Sequence, residues 1–348
     1  MICQSTLRDY IMFRDLVNSA DGGVYVIAEA CDNHMGSMEM ARALCRAAKY
    51  AEADAVKFQH HLPYEEMLNQ GTMSDNFEEH LFDFLERNAL SLAQHFDLKD
   101  YCDGLGITYL CTPFSLKAAH EIADLVPFFK IGSGEFQDRW FIDGLKNLRK
   151  PVIFSSGMSS YSEVKENVEY LKKTDLDFAL LNCLSEYPPK FQDMNLKFIT
   201  QLVDEFPDVV IGHSDHTQTT FTSVIAVSLG AQIIEKHLTL SEMIHGPDKD
   251  VSLDPDQFRQ LVKDLRAVKQ TLGAKKIIND DEIPVREWAY RSVVSTKDIL
   301  PGTILGLDHI CTKRPGTGIP SKDYKTIIGK KVVKHICKNT MIEWEDLE

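Results

Sequence analysis

The amino-acid sequence predicts an α/β protein in which a (β/α)8 barrel is followed by a small β-rich domain. The chain has 348 residues, about 100 more than the roughly 250 that a single α/β barrel needs. Short β-rich apolar runs alternate with amphipathic helical patterns eight times before residue 273. The residues that follow carry a short internal repeat instead. An open doubly wound sheet would show the same alternation.

The predicted strands are short runs rich in β-branched and aromatic residues, and each is followed by a helical pattern. After the first strand, for example, MEMARALCRAAKYA places Ala41, Leu44, Cys45 and Ala48 on one helix face. The eight predicted strands are Tyr25–Ala30, Ala53–Gln59, Ile107–Phe114, Phe128–Glu135, Pro151–Gly157, Phe178–Cys183, Val209–His216 and Ile233–Thr239.

The sequence divides into four segments. We assign residues 1–23 to an N-terminal extension, 24–272 to the barrel, 273–285 to a linker and 286–348 to the second domain. In the last segment, DILPGTILGLDHI and HICKNTMIEWEDL align without gaps and share Ile299/Ile336 and Thr303/Thr340. Two similar halves so close together predict a small pseudo-symmetric β module.

Composition and charge narrow the class of protein. Hydrophobic residues make up 44% and charged residues 26% of the chain, which is typical of a globular protein with a large core. A formal net charge of −14 argues against nucleic acid and anionic membranes as partners, because those surfaces select basic proteins. An anionic ligand would therefore need a local cluster of cations.

The cysteines and the N-terminus predict a cytoplasmic protein. The eight cysteines form no C-x-x-C pair and lie mostly in apolar stretches, which indicates buried thiols in a reducing compartment. Charged residues interrupt the first twenty positions, so they lack the apolar core of a signal peptide. No apolar run is long enough to span a bilayer.

Polar residues stand at the carboxyl ends of nearly all predicted strands, where barrel enzymes place their catalytic groups. Any single serine or threonine there could simply satisfy a backbone group, but eight such ends together predict one polar mouth. The residues are Glu29, Lys57, Gln59, Thr112, Lys130, Ser133, Glu135, Ser155, Ser156, Ser185, Tyr187, Ser214, Asp215, His216, Glu235, Lys236 and His237.

Two features of this mouth suggest its ligands. His216 and His237 end adjacent strands, so their imidazoles could share a divalent metal with open positions for substrate. A structural role is the alternative for such a pair, although Asp215 and Asp248 nearby favour a metal. Three lysines inside strand patterns, Lys57, Lys130 and Lys236, would be costly in a core and predict a bound anion such as a phosphate with a carboxylate.

Several motifs resemble one known family, the N-acetylneuraminate synthases, over roughly Val24 to Leu347. Four of them, SDHT, EKH, GPD and KRPGTGI, form a highly specific combination. The matching stretches, in family order, are IAEACDNHMG, ADAVKFQ, CTPF, KIGSGE, PVIFSSGM, IGHSDHT, GAQIIEKHLTL, GPDKDVSL and KRPGTGI. The resemblance implies a TIM barrel followed by an antifreeze-like (SAF) domain.

The same resemblance implies a reaction. In the family, C3 of phosphoenolpyruvate attacks the aldehyde of N-acetylmannosamine, whose oxygen is bound by a manganese-type ion, with Mg²⁺ or Co²⁺ as other candidates. An oxocarbenium forms at C2, water adds, and phosphate leaves with C–O cleavage. The implied partner is a second copy of the chain, in a homodimer whose SAF domain covers the neighbouring barrel.

Roles at matching positions follow from the resemblance. It implies His216 and His237 as metal ligands and Glu135, Glu29, Lys57 and Tyr187 as catalytic residues. The phosphoenolpyruvate site would comprise Lys57, Thr112, Lys130, Ser133, Ser155, Ser185 and Ser214. The amino-sugar site would comprise Glu29, Gln59, Tyr187, Asp248 and Arg314. Glu135 would position the attacking water or move its proton, and an ion pair with Lys130 or Lys57 is the alternative.

Some positions depart from the family pattern. Cys31, Asp32 and Met35 interrupt the first motif, where a glycine usually precedes Asn-His-Asn-Gly; FQHH replaces FQT-aromatic, and Ser185 stands where asparagine is common. These changes flank the sugar pocket, so they affect the choice of amino sugar more than the reaction. The GPD stretch favours sialic or legionaminic acid synthases over pseudaminic acid synthases.

Three other functions remain as alternatives to an N-acetylneuraminate synthase. A close relative would make legionaminate from a 2,4-diacetamido-6-deoxy sugar. A metal-dependent barrel aldolase or hydrolase would use no phosphoenolpyruvate. A carbohydrate-binding or ice-binding protein would have no use for the histidine pair and the lysines.

Overall fold

A computed structural model describes residues 12–73 and 79–348. The chain divides into two compact units, Met1–Gly273 and Ala274–Glu348. The first eleven residues of the predicted extension, with Cys3, lie outside the described residues. The division falls at the beginning of the segment that the sequence assigned to a linker, and a helix, Glu282–Ala289, begins inside that segment.

The first unit contains an eight-stranded parallel sheet curled into a barrel, which confirms the predicted fold class. The strands are β1 (Tyr25–Glu29), β2 (Ala55–His60), β3 (Thr108–Pro113), β4 (Phe129–Ile131), β5 (Val152–Ser155), β6 (Phe178–Cys183), β7 (Val210–Asp215) and β8 (Ile233–His237). Their order is β3-β2-β1-β8-β7-β6-β5-β4, and the neighbouring β3 and β4 complete the ring. Pairing of β1 with β8 joins the first and last strands of the barrel.

Helices cover the outside of this sheet. Most begin at a capping serine or aspartate; Ser91, Ser160 and Asp254 each form a capping box that satisfies the first free N–H groups of the helix. The helices are α1 (Phe13–Ser19), α2 (Met38–Tyr50), α3 (Pro63–Glu66), α4 (Leu81–Asn88), α5 (Leu92–Leu105), α6 (Leu116–Ile122), α7 (Arg139–Lys146), α8 (Tyr161–Leu171), α9 (Phe198–Glu205), α10 (Phe221–Ser228) and α11 (Pro255–Thr271).

The predicted strands have the right positions but are often too long. The largest difference is at β4, predicted as Phe128–Glu135, which ends at Ile131. Ser133 and Glu135 therefore belong to the loop that follows, where Gly132 and Gly134 interrupt the strand pattern. This places both side chains on a loop above the barrel mouth.

Two apolar layers fix the barrel. Alternate strand residues point outward to pack against the helices, and the others fill the interior. Helix α1 also contributes to the interior layer, because Phe13 and Val17 are buried with Phe128, whose ring lies edge-on 5.2 Å from that of Phe13. The described part of the N-terminal extension is thus a component of the barrel core.

The second unit is β-rich, as predicted. It contains α12 (Glu282–Ala289), the antiparallel strands β9 (Ser292–Ser295) and β10 (Ile310–Lys313), and α13 (Tyr324–Ile327). The internal repeat is visible in the structure, because Ile299 and Ile336, its equivalent residues, face one another in an antiparallel bridge. Each half then ends in a short 3₁₀ turn, Leu307–His309 and Trp344–Asp346.

Two expectations on localisation can be compared with the described residues. The helices described there include none that is both long enough and apolar enough to cross a membrane. The seven described cysteines are free thiols, of which Cys31, Cys45, Cys102 and Cys111 are buried as expected. Cys337 is exposed, so the expectation of burial is wrong for that residue, which lies at the surface of the small second unit.

Candidate active site

A cavity of about 510 Å³ opens at the carboxyl ends of the barrel strands. Fourteen of the fifteen residues predicted for the site line it, and the fifteenth, Arg314, belongs to the second unit. The fourteen are Glu29, Lys57, Gln59, Thr112, Lys130, Ser133, Glu135, Ser155, Ser185, Tyr187, Ser214, His216, His237 and Asp248.

The sheet register brings Glu29, Lys57 and His237 to the same level of the barrel, because Glu29 on β1 pairs with Lys57 on β2 and His237 on β8. In-register residues of parallel strands point to the same side. The Lys57 Nζ lies 2.6 Å from Glu29 Oε2 and donates to Thr112 Oγ1 at 2.9 Å. Gln59 Nε2 donates to the other Glu29 oxygen at 3.0 Å. This network fixes the buried ammonium of Lys57 at the cavity wall.

Glu235 joins the two cavity lysines. Its carboxylate lies 3.8 Å from Lys57 Nζ and 3.6 Å from Lys130 Nζ, and it accepts a hydrogen bond of 3.0 Å from Ser214 Oγ. Burial opposes a charge on Glu235, but the two ammonium groups outweigh it and lower the pKa of the carboxyl. Burial lowers the pKa of Lys130, an effect that the Glu235 charge counteracts. Lys57 and Lys130 thus present two buried ammonium groups to the cavity, and each can bind an anionic group of a ligand.

His216 and His237 lie at the opposite wall with Tyr187. The two imidazole rings are 5.4 Å apart, and the Tyr187 ring stacks on His216 at 4.3 Å. The backbone oxygen of Leu184 lies 2.9 Å from His216 Nδ1, which directs Nε2 toward Tyr187 OH at 3.2 Å. Burial lowers the pKa of His216 to about 4 and lowers that of His237 well below its usual value. Both rings are therefore neutral near pH 7, the form that binds metals.

The residues around His237 fit a divalent metal ion. Its Nδ1 is buried without a hydrogen-bond partner, which is unusual for an imidazole unless a ligand completes the site. One donor atom from each of Cys31, His237 and Asp248 lies within 4.8 Å of the other two. Nitrogen, sulfur and carboxylate oxygen are all ligands of divalent transition metals.

Serine side chains and a loop carboxylate form the rest of the wall. Ser133 Oγ accepts a hydrogen bond of 3.0 Å from the Gly157 N–H, and Ser155 Oγ is buried without a partner. A side chain at Gly157 would collide with Ser185 Oγ at 2.2 Å and Ser133 Oγ at 2.7 Å, so glycine is required there. Burial raises the pKa of Glu135 to about 6, and its Oε2 has no hydrogen-bond partner.

The assignment of Lys236 to an anion site is wrong. Lys236 is fully buried on the helix-facing side of β8, where its Nζ lies 3.2 Å from Asp215 Oδ1 and donates to Thr217 Oγ1 at 3.0 Å. Neither Lys236 nor Asp215 lines the cavity. Strand residues alternate between faces, so Glu235 and His237 face the cavity while Lys236 faces away.

Several cavity residues received no role from the sequence. Glu235 was noted only as a strand end, although strand alternation with His237 places it on the cavity face. His61, from the FQHH motif, stacks on Phe114 with 4.4 Å between ring centroids and lies 2.8 Å from both Gln59 Oε1 and Glu66 Oε1. The others are Cys31, Asp32, Glu66, Met67, Leu81, Leu85, Phe114, Gly132, Gly134, Met158 and Cys183. Most lie on loops, for which periodicity gives no signal.

Arg314 lies on an exposed loop of the second unit. Its Nε donates to the backbone oxygen of Ala289 at 3.1 Å, and its guanidinium lies over the Trp288 ring at 5.2 Å. These contacts hold the side chain against α12 within its own unit.

Comparison with known proteins agrees with this fold. The NeuB family model matches residues 44–277, and the SAF domain model matches residues 290–348. The chain is 32% identical to an N,N'-diacetyllegionaminic acid synthase of Legionella pneumophila, over 93% of this chain and 94% of the relative. It is also 32% identical to a pseudaminic acid synthase of Campylobacter jejuni, over 91% of this chain and 95% of the relative.

A solved structure shows the same architecture. The N-acetylneuraminic acid (sialic acid) synthetase of Leptospira borgpetersenii superposes with a TM-score of 0.69 at 28% identity, over 75% of this chain and 90% of that one. The sequence identities to these relatives are too close to one another to indicate which amino sugar this chain uses. The NeuB match covers most of the barrel and the SAF match covers the β-rich unit, so the chain belongs to the NeuB family of sialic, legionaminic and pseudaminic acid synthases and carries a SAF domain.

Proposed function

We propose that this chain condenses phosphoenolpyruvate with N-acetylmannosamine and water to give N-acetylneuraminate and phosphate, an activity like that of EC 2.5.1.56. The observation that carries the proposal is a single cavity with two buried lysines on one wall and two buried, neutral histidines on the other. The first wall suits a polyanion, and the second suits a metal-bound neutral sugar.

Phosphoenolpyruvate binds at the lysine wall in this proposal. Lys57 and Lys130 neutralise its phosphate and carboxylate, and the hydroxyl of Thr112 beside them donates a hydrogen bond. Ser133, Ser155, Ser185 and Ser214 complete the site. Support comes from Ser155 Oγ, a buried donor that has no partner of its own and gains one when an anion binds.

The amino sugar binds at the histidine wall, where His216 and His237 hold a divalent ion, with Mn²⁺ as the first candidate and Mg²⁺ or Co²⁺ as others. The ion supplies Lewis-acid polarisation of the aldehyde of the open-chain sugar. Glu29, Gln59, Tyr187 and Asp248 orient its hydroxyl and acetamido groups. Tyr187 already packs on His216, so it can hold the sugar beside that ring.

Glu135 acts on water in this scheme. After C3 of phosphoenolpyruvate attacks the aldehyde, positive charge develops at C2, and water must add there before phosphate leaves with cleavage of the C2–O bond. A carboxylate with a pKa of about 6 is ionised at pH 7 and basic enough to accept the proton of that water. Glu29 and Lys57 stabilise the charges that form around it.

A second amino sugar is favoured by one specific observation. Met67, Leu81, Leu85 and Met158 give part of the cavity an apolar lining, which would pack against the methyl group of a 2,4-diacetamido-6-deoxy sugar better than against the hydroxymethyl of N-acetylmannosamine. Such a substrate would make the chain a legionaminic acid synthase, like the Legionella relative.

Phosphate release tests the proposal. The chelated protein is given phosphoenolpyruvate, Mn²⁺ and one sugar from a panel that includes N-acetylmannosamine and 2,4-diacetamido-2,4,6-trideoxymannose. We expect phosphate and a nonulosonate in equal amounts, and phosphoenolpyruvate labelled with ¹⁸O at the bridging position should give labelled phosphate. No phosphate with any sugar would overturn the proposal in favour of an aldolase, a hydrolase or a carbohydrate-binding protein.

Metal dependence is tested in the same assay. Exhaustive chelation should abolish turnover, and His237→Ala should do so while leaving the unfolding transition in place, because the aldehyde then lacks its electrophilic catalyst. Full activity after chelation would exclude a catalytic role for the metal.

The proposed assembly is a homodimer in which the SAF domain of one chain covers the barrel of the other, so that Arg314 reaches the neighbouring amino sugar. Arg314→Ala and His237→Ala should each be nearly inactive. After verified subunit exchange, a mixture of the two should regain activity, since each heterodimer contains one site free of both changes. No recovery above the parents would show that Arg314 does not act across the dimer.

A further inference from the structure

A turn beside the histidine pair presents a thiol to the cavity. The turn closes with a hydrogen bond of 3.1 Å from Asn33 N to Ala30 O, and Cys31 is its first inner residue. Cys31 has φ of 43°, in the left-handed region that favours glycine. A β-carbon in that conformation is strained, so the surrounding structure must hold this side chain in place.

Contacts to β8 fix the turn relative to His237. Asn33 Nδ2 donates to the backbone oxygen of Leu238 at 3.0 Å and to Ser252 Oγ at 3.1 Å. The backbone N–H of Leu238 in turn donates to Glu29 O at 2.8 Å. Because Leu238 directly follows His237, these bonds tie the position of the thiol to that of the imidazole.

The donor atoms themselves are close. Cys31 Sγ lies within 4.8 Å of a nitrogen of His237 and an oxygen of Asp248, and all three residues are buried. His237 Nδ1 has no hydrogen-bond partner. Two ligands at 2.0–2.3 Å from one tetrahedral ion are about 3.3–3.8 Å apart, so a small inward movement would bring the three atoms into one coordination sphere.

We propose that Cys31 is a ligand of the ion bound at His237 and makes this site select thiophilic divalent cations, Co²⁺, Zn²⁺ and Cd²⁺, over Mn²⁺ and Mg²⁺. Thiolate prefers softer metals, whereas a site of imidazole, carboxylate and water alone discriminates less strongly. On binding, the thiol gives its proton to solvent and forms the sulfur–metal bond. The inference rests on the metal dependence proposed above, and binding measurements without turnover separate the two.

A second thiol, Cys337, could also bind thiophilic ions and must first be removed by mutation. Asp298, His335 and Cys337 in the SAF domain also bring donor atoms within 4.8 Å of one another, at an exposed position. Cys337→Ser is therefore the background for all measurements. Both Cys31→Ser, which keeps the shape of the side chain, and Cys31→Gly, which relieves the left-handed strain, are made in it.

Calorimetric titration of the chelated full-length protein with Mn²⁺, Co²⁺, Zn²⁺ or Cd²⁺ alone measures selectivity. We expect either Cys31 substitution to weaken Zn²⁺ and Cd²⁺ binding about 10-fold or more and Mn²⁺ binding less than about 3-fold. The Co²⁺ protein should show near-ultraviolet sulfur-to-cobalt charge-transfer absorption that both substitutions remove.

The outcomes separate the two proposals. If His237→Ala removes binding but the Cys31 variants keep the selectivity and the absorption band, the role of Cys31 is refuted while metal dependence stands. If the parent protein binds none of the four ions, metal dependence fails as well. Cys31→Gly serves as the check on folding, since glycine accepts the backbone conformation that the turn requires.

Discussion

The two faces of the same barrel strands hold buried charges in opposite ways. On the helix-facing side, both oxygens of Asp215 are occupied, by the N–H of Thr217 and Lys236 on one and by the hydroxyls of Thr222 and Ser223 on the other. On the cavity side, Ser155 Oγ, Glu135 Oε2, Glu235 Oε2 and His237 Nδ1 have no hydrogen-bond partner. The Asp215–Lys236 pair is therefore satisfied within the protein and stabilises the fold, whereas these cavity atoms are able to bind a ligand.

The largest effect expected from this difference is on stability. Lys236→Met should lower the free energy of unfolding by about 3–5 kcal/mol, because it leaves the Asp215 carboxylate buried without its cation. The double variant Lys236→Met/Asp215→Asn should recover part of that loss. Denaturant unfolding of both and of Lys130→Met, the matched change on the cavity face, measures the effect. Equal destabilisation by Lys236→Met and Lys130→Met would contradict the distinction between the faces.

A smaller effect is expected on substrate affinity. Lys57→Met and Lys130→Met should each raise KM for phosphoenolpyruvate about 10- to 100-fold, since a charge-assisted hydrogen bond is worth about 1.5–3 kcal/mol. KM for the amino sugar should change far less. Steady-state kinetics with each substrate varied in turn measures this, and Lys146→Met, an exposed lysine paired with Asp143 at the surface, is the control. Equal changes for both substrates would contradict an anion site at these lysines.

The smallest effect concerns pH. Burial raises the pKa of Glu135 to about 6. The basic form is therefore lost as pH falls below that value, and kcat should fall about tenfold per pH unit there.

Asp215 on the other face should titrate only in stronger acid. Burial opposes its charge, but the Lys236 ammonium and the hydrogen bonds to the carboxylate outweigh burial and lower the pKa of Asp215. The stability that Asp215 contributes is therefore present above the unfolded pKa of about 3.9 and is lost as pH falls through the lower pKa of the folded protein.

The pH profile of kcat measures the effect of protonating Glu135. Glu135→Gln should have a lower kcat and no acid limb near pH 6. Because burial raises the pKa of Glu135 from 4.5 to about 6 in the folded protein, the unfolding free energy of the parent should fall relative to that of the variant as pH rises between these values, and the two should change in parallel from pH 7 to 8. An unchanged acid limb in Glu135→Gln would assign the titration to another group.

Sequence patterns predicted the barrel and most of the cavity wall because both follow from strand periodicity. The apolar runs located all eight strands, and the carboxyl-end rule located residues such as Lys57 and His216. The error at Lys236 arose from counting strand-end residues without separating the faces; alternation with Glu235 and His237 would have corrected it.

The end of β4 had a local signal that the prediction did not use, because Gly132 and Gly134 interrupt the strand pattern directly after Ile131. Other features had no such signal. Cys31 and His61 enter the cavity from loops whose conformation is set by distant partners, such as the bond from Asn33 to Leu238. The sequence motifs showed that Cys31 and His61 depart from the family pattern. They did not indicate how close these two side chains lie to the other cavity residues.

The pairing of β1 with β8 has a consequence for synthesis on the ribosome. One edge of β1 is matched by β2 soon after it emerges, but the other edge waits for Ile233–His237. At about 5–20 residues per second, the roughly 200 intervening residues take about 10–40 s. During that time the nascent chain carries an open, apolar strand edge, which is a site for mispairing between neighbouring chains on a polysome. Slower translation would lengthen this exposure, and a chaperone that covers β1 would shorten it.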